Sequence, residues 1–285
     1  MKIKQILGCF ISVFSLSTHA IAAPNTSSTV VSNVQTVLQT CQCPNCDLSK
    51  ADLSGFQPGN GAAVSQYAFG KNYSSQAMVT CKFNQANFSN ANLSNTNFVT
   101  ANVPVDSIIG KAVFIKANFS SANLSNSQFG YADFTGANFS NAILNGASLY
   151  VCNLSSANLS NASLLSVVSQ RSNMGGFGSN FSSANFSNAD LTNANLDGNF
   201  TQANFSHAKF KNTILSTSND DYAVTAGKAA SSPADYFKGT NFSNTDLRQV
   251  SFEFPDMAGN PEVDLSEAIL CHTIMPDGSI SNQNC

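Results

Sequence analysis

Between Ala112 and Leu164 a Leu or Phe returns at every fifth position: Phe114, Phe119, Leu124, Phe129, Phe134, Phe139, Leu144, Leu149, Leu154, Leu159 and Leu164. Two residues before each stands a small residue, Ala nine times, then Ser127 and Cys152. A period of five suits neither regular element. On an α-helix five residues advance about 500°, so the apolar positions would wander round the cylinder without forming a stripe. On a flat strand the odd step sends each Leu or Phe to the opposite face. The chain must therefore be reset by a turn every five residues. A short extended piece points the small and the large residue the same way, and Asn, Ser or Gly turns the corner. Repetition of that unit builds a solenoid with the large residues stacked inside.

The tandem pattern A-[ND]-[LF]-x-x, as in Ala117-Asn118-Phe119-Ser120-Ser121 and Ala137-Asn138-Phe139-Ser140-Asn141, resembles the pentapeptide repeat family. The resemblance implies an all-β fold, a right-handed quadrilateral β-helix with four pentapeptides per coil. Phe and Leu would form the inner stack and the small residue two before it a second one. The eleven residues from Phe114 to Leu164 are the expected structural core. For function the resemblance says little.

The rest of the chain is organised around this array. Residues 1–22 read as a secretory signal: Lys2 and Lys4, an apolar centre from Ile6 to Leu16, and the small-residue site Ala20-Ile21-Ala22. The apolar run is too short to span a bilayer. Residues 23–40 form a lead-in, in which Val30, Val31, Val34, Val37 and Leu38 behind a cap at Ser28 predict a short helix covering the first coil. Residues 41–270 carry the repeat. It resumes by Phe83 and runs through Phe88, Leu93, Phe98, Val103 and Ile108, then shifts by one residue to Phe114. After Leu164 it breaks, and returns at Phe181, Phe186, Leu191 and Leu196. The step to Phe200 is one residue short. Phe205, Phe210, Leu215, Phe237, Phe242, Leu247, Phe252, Leu265 and Leu270 follow. Insertions near 54–72, 165–178, 216–234 and 253–264 are expected to project as loops, where specificity concentrates in a repetitive rod. Residues 271–285 form a tail, whose Thr273-Ile-Met-Pro-Asp-Gly-Ser279 resembles the segment that closes bacterial family members.

Without the signal, 11 basic and 16 acidic residues leave a charge of −5, and from Ala117 to Leu164 the only charged side chain is Asp133. Asn-x-Ser/Thr sites such as Asn87, Asn118, Asn138 and Asn204 fall out of the repeat register, so they argue for a bacterial exported protein rather than a decorated eukaryotic one. Export makes disulfides plausible for Cys41, Cys43, Cys46, Cys81, Cys271 and Cys285, with Cys152 standing in for Ala in the core. Cys43-Pro-Asn-Cys46 admits a redox pair, half a zinc site or a structural staple of the first coil, with Cys81 as a further partner for the staple. Cys271 and Cys285 can close the tail.

No nucleophile–base arrangement can be read from the histidines, His19, His207 and His272, and no phosphate-binding motif is present. The acids Asp220, Asp221, Glu253, Asp256, Glu262, Asp264 and Glu267 crowd the C-terminal third, either as a solvated surface or as an anionic patch. The expectation is an exported, periplasmic or secreted, non-enzymatic scaffold without cofactor, metal or nucleic-acid ligand. It would have no membrane span once the signal is removed, and would bind a protein or another extracytoplasmic macromolecule through its loops or a wall. The alternative comes from the family, some of whose members mimic DNA and inhibit type II topoisomerases. Such mimicry needs a dense negative surface where phosphates would bind.

Overall fold

The structure, a computed structural model, describes residues 27–56, 81–98, 112–169, 178–217, 233–253 and 263–285. The pentapeptide is its unit. In each, the small residue and the Leu or Phe point inward, and the residue between them faces out and bridges to the next coil in parallel. The carbonyl of each large residue then accepts the N–H three residues on, as in Ala91 N–H to Phe88 O at 3.0 Å. The second central residue of the turn lies at positive φ: Asn90 at 56°, Ser121 at 56°, Gly136 at 64° and Asn141 at 58°. A turn with left-handed geometry at that position favours Gly and tolerates Asn, which is why the repeat is filled with them.

Four such units make one coil, giving a right-handed quadrilateral β-helix. The first face stacks Cys43, Phe83, Phe114, Phe134, Leu154, Phe181, Phe200, Phe237 and Leu265; the second stacks Leu48, Phe88, Phe119, Phe139, Leu159, Phe186, Phe205, Phe242 and Leu270. At about 4.8 Å per coil, nine coils make a rod on the order of 40 Å long. The rings stack face to face along it: Phe88 on Phe119 at 4.8 Å, Phe119 on Phe139 at 4.8 Å, Phe114 on Phe134 at 4.9 Å. All eleven residues of the central array are fully buried. So is Cys152, whose thiol donates to the Phe129 carbonyl at 2.9 Å and is pushed well above its ordinary pKa by burial.

The irregularities of the sequence obey one rule. From the first face to the second, the second to the third, and the third to the fourth, the step is five residues in every described coil. Each departure from five falls between the fourth face and the first. Phe98 is followed by Phe114, Ser169 by Phe181, Leu196 by Phe200, Leu215 by Phe237 and Phe252 by Leu265. The coil of Phe83 to Phe98 bonds directly to that of Phe114 to Phe129, through Phe83 N–H to Val113 O at 2.7 Å and Phe98 N–H to Gln128 O at 2.8 Å. Val103 and Ile108, expected as rungs before Phe114, lie outside the described residues. The break expected after Leu164 comes one unit later. Val167 fills the small slot and Ser169 the large one, with Ser169 N–H bonded to Asn195 O at 2.9 Å. A Ser in the large slot hides that rung from an apolar pattern. Its hydroxyl is satisfied inside by the Asp197 carbonyl at 3.1 Å. At the other end Met275 extends the third face beyond Leu270, packed against the core.

The short step at Phe200 has a structural cause. The strands β1 (Ser179–Asn180), β2 (Asn195–Asn199), β3 (Thr213–Ser216) and β4 (Val250–Glu253) pair in parallel in that order. β2 runs through the corner without a turn, and Gly198 sits on Ser179, where a Cβ would overlap the Ser179 carbonyl.

Both ends of the rod are closed. Helix α1 (Ser28–Thr40) lays Val30, Val34 and Val37 on the first coil, and Asn33 Nδ2 donates to the Asp47 carbonyl at 2.8 Å. Its N-cap is Ser27, one residue before the expected Ser28, because it is the Ser27 hydroxyl that accepts the Val30 N–H at 3.3 Å. Val31 faces out. A four-residue helix, α2 (Pro233–Tyr236), leads into the coil of Phe237. At the C-terminus β5 (Thr273–Ile274) and β6 (Ile280–Ser281) form an antiparallel hairpin, its Asp277 accepting the Ser279 N–H at 2.9 Å. Asn284 Nδ2 then reaches the carbonyls of Ser266 at 3.0 Å and Ala268 at 2.8 Å, covering the last coil. No helix among the described residues is long and apolar enough to cross a membrane.

Candidate interaction surfaces

The cysteines sit at the two ends. Cys41, the left-handed C-cap of α1, pairs with Cys81 in the coil below; Cys43 pairs with Cys46 across the first turn, and Cys271 with Cys285 in the tail. Among the described residues Cys152 is the free thiol, buried in the middle of the rod. A reactive thiolate needs a helix N-terminus or a cation beside it; the Cys43–Cys46 pair follows the C-terminus of α1 instead. Among the described residues no group of three or more His, Cys, Asp and Glu is placed to hold a metal ion. His207 and His272 occupy equivalent exposed turn positions, both at positive φ, after Phe205 and Leu270.

Charge on the walls is sparse, and three ion pairs form among the described residues. Asp190 meets Lys209 at 2.8 Å, Glu267 meets Lys238 at 2.7 Å and Asp246 meets Arg248 at 2.6 Å. The Arg248 guanidinium lowers the pKa of Asp246. Burial alone would raise that of Asp190, but the hydrogen bonds from Lys209 and Thr192 outweigh it. Glu253, Asp264 and Glu267 are the members of the C-terminal acidic group that are described; Asp220, Asp221, Asp256 and Glu262 lie outside the described residues.

Two surface features remain, and neither is visible as a motif. The first is the corner between the fourth and first faces, where the described residues break off after Phe98, Ser169, Thr217 and Glu253 and resume at Ala112, Gly178, Pro233 and Val263. Where no segment intervenes, the corner is built by unusual residues. Tyr131 at φ 66° and Val151 at φ 53° are buried and left-handed, and Tyr131 packs edge-on against Tyr150 with centroids 5.4 Å apart. A β-branched residue there carries backbone strain. Gly130 has no room for a side chain because the Tyr150 ring fills it.

The second is the wall of the second face. Its outward residues are Asp47, Asn87, Asn118, Asn138, Asn158, Asn185, Asn204, Asn241 and, in the last coil, Ile269. Each carboxamide from Asn87 to Asn204 donates to the one before, at 3.1, 3.1, 3.0, 3.2, 3.2 and 3.1 Å. Each oxygen also accepts the N–H of the Ser two residues on, as in Ser140 to Asn138 at 3.1 Å. The Asn-x-Ser signature is thus a turn-and-ladder device. Counting the rungs in fours would have exposed both this column and the variable corner.

A family model of pentapeptide repeats matches residues 81–102, 132–164 and 178–219, in 8 copies. No curated protein sequence matches the chain. Among solved structures, HetL, a pentapeptide repeat protein involved in heterocyst differentiation regulation in the cyanobacterium Nostoc sp. PCC 7120, aligns at 19% identity over 84% of this chain and 92% of its own, with a TM-score of 0.37. QnrB1, a plasmid-mediated fluoroquinolone resistance protein, aligns at 16% identity over 75% and 84%, with a TM-score of 0.33. A pentapeptide repeat protein of the Arabidopsis thaliana thylakoid lumen aligns at 22% identity over 50% and 74%, with a TM-score of 0.24. The five-residue period, the four-sided coil and the matched repeats agree: this chain is a pentapeptide repeat protein.

Proposed function

We propose that the chain is an exported, non-enzymatic scaffold whose rod displays variable segments along one edge to bind another macromolecule. The observation that carries the reading is the confinement of every irregular step to the corner between the fourth and first faces, while the other three corners keep a step of five. Neutral drift would scatter insertions over all four corners. Segments gathered on one edge can meet one partner together, and rigid coils fix their spacing. Capped ends suit the same reading, because they leave the sides of the rod for recognition.

Export rests on residues 1–22 and is supported by three cysteine pairs, which persist in oxidising compartments. The DNA-mimic alternative needs a dense negative surface, and three acids of the described walls, Asp190, Asp246 and Glu267, are each paired with a base.

Two measurements test the proposal. Intact mass of the protein recovered from cytoplasm, periplasm and medium should show loss of residues 1–22 outside the cytoplasm; a full-length cytoplasmic species would overturn export. Photo-crosslinkers at Tyr150 and Glu253, which lie at the variable corner, should capture a partner that crosslinkers at Asn126 and Asn193, at the corner between the third and fourth faces, do not. Equal capture from both corners would overturn the edge.

A further inference from the structure

The wall of the second face is more uniform than the fold requires. The same outward slot on the first face holds Gln42, Lys82, Val113, Asp133 and Asn153; on the third it holds Asn123, Ile143, Ser163, Asp190 and Lys209; on the fourth Gln128, Ser148 and Val168. The coil tolerates every one of these, so the unbroken column from Asn87 to Asn241 is not a condition of folding. Beside it runs a column of turn serines, Ser89, Ser120, Ser140, Ser160, Ser187, Ser206 and Ser243, and beyond that an exposed column, Asn90, Ser121, Asn141, Asn161, Asn188, His207 and Asn244. None of these residues carries a fixed charge. The second face also borders no variable corner, so no segment of the chain departs from either of its edges along the rod.

We infer that this wall is a binding surface for an uncharged, extended polysaccharide lying along the rod. The inference rests on the scaffold reading and deepens it by naming a wall and a ligand class. Three properties select the ligand. The ladder uses one of the two amide N–H donors of each Asn from Asn87 to Asn204, which leaves the other as a donor in six successive coils. The repeat along the wall is about 4.8 Å, close to the length of one sugar unit in an extended chain, so successive units meet successive coils in register. From Asn87 to Asn241 the absence of fixed charge offers no counter-ion to an anionic polymer or a nucleic acid, and the absence of exposed apolar side chains offers nothing to a membrane. Each amide or hydroxyl contact is weak alone. Seven coils acting together convert the later contacts into intramolecular ones, so affinity should climb with glycan length.

The probes are microcrystalline cellulose and chitin in co-sedimentation, with soluble β-1,4-linked oligosaccharides as competitors. The mature protein should sediment with at least one of the two, and a hexasaccharide should compete at least tenfold better than a disaccharide. Asn141→Lys with Asn161→Lys puts two charges on the exposed column of this wall, at left-handed positions where the chain already accepts Lys50 at φ 59° and Lys116 at φ 56°. That variant should lose at least tenfold in binding with an unchanged melting temperature. The matched control, Asn126→Lys with Ser166→Lys, places the same change at equivalent turn positions on the opposite corner of the third face and should bind as the parent does. The variable corner is intact in both, so partner capture there reports separately on the scaffold reading. Failure of the parent to sediment with either glycan, or equal binding by the two variants, would overturn the inference. Shaping of ice crystals by a protein that ignores both glycans would also overturn it, and would assign the wall to ice.

Discussion

Gly198 lies directly on the Ser179 carbonyl, in the slot two residues before Phe200 that the preceding coils of this face fill with Ala, Cys or Ser, and nothing larger than hydrogen fits there. This contact lets β2 turn the corner one residue short, so the stack of Phe181 on Phe200, 5.3 Å between centroids, is kept. Replacing Gly198 with Ala forces backbone against backbone and should cost about 2–4 kcal/mol, read as a fall in melting temperature. Gly55, at φ 69° with nothing near its missing Cβ, is the control. There Ala meets only the left-handed penalty of about 1 kcal/mol. Equal effects at the two sites would refute the close contact.

The aromatic stack makes a second prediction. Phe134 is fully buried and stacks on Phe114 at 4.9 Å, while Leu154 takes the same slot one coil on. Phe134→Leu therefore keeps an apolar side chain that the column already accommodates. Phe134→Ala opens a cavity and should cost about 3–5 kcal/mol. Phe134→Asp puts an unpaired carboxylate in the dry interior and should abolish the fold. Far-UV circular dichroism with thermal melting ranks the three, and an undisturbed Phe134→Asp protein would show that Phe134 does not point inward.

How much of this was legible beforehand depends on what each residue contributes. Phe119 and its in-register neighbours announce their slots because a large apolar residue every fifth position has one solution. Ser169 does not, since its hydroxyl in a core slot is satisfied by the backbone of Asp197, one residue beyond the next rung Leu196, whose carbonyl accepts from it and whose N–H donates to it, a contact no local pattern contains. Val151 is similarly silent: its left-handed backbone contradicts its own preference and is imposed by the turn on either side. The variable corner was present as irregular spacing. It became a single edge only once the rungs were counted in fours from Phe83, which the apolar Val103 and Ile108 obscured. The asparagine column was likewise visible as scattered glycosylation-like sites.

The disulfides should contribute unequally. Cys41 and Cys81 are 40 residues apart, Cys271 and Cys285 are 14 apart, and Cys43 and Cys46 only 3 apart. Loop-closure entropy then assigns about 4, 3 and 2 kcal/mol respectively. Paired Cys→Ala variants should lower the midpoint of denaturant unfolding in that order. Loss of the Cys41–Cys81 link should also release α1 from the first coil, exposing Val30, Val34 and Val37 to a dye that binds apolar surface. A larger effect at Cys43–Cys46 than at Cys41–Cys81 would contradict the entropic account.

Asp47 begins the asparagine ladder and gives it a pH dependence. Its carboxylate accepts the Ser49 N–H at 2.9 Å and Asn87 Nδ2 at 3.1 Å. The backbone N–H of Ser49, then its hydroxyl, and Asn87 hold its pKa below the usual carboxylate value. A group whose pKa is depressed by folding binds protons more readily in the unfolded chain, so its stabilisation is fully present above the unfolded value of about 3.9. It fades as pH falls from there through the lower folded value. Asp246, Asp264 and Asp277 are lowered in the same way and act in the same window. Asp47→Asn keeps the turn and the ladder geometry, because Asn fills the equivalent place in every coil from Phe88 to Phe242. It should melt slightly below the parent at pH 7 and match it near pH 2, which narrows the acid sensitivity by the share Asp47 supplies. Parallel melting curves for the two proteins from pH 7 to pH 2 would show that the first rung of the ladder is indifferent to charge, and would leave the remaining acids to account for the whole of the acid response.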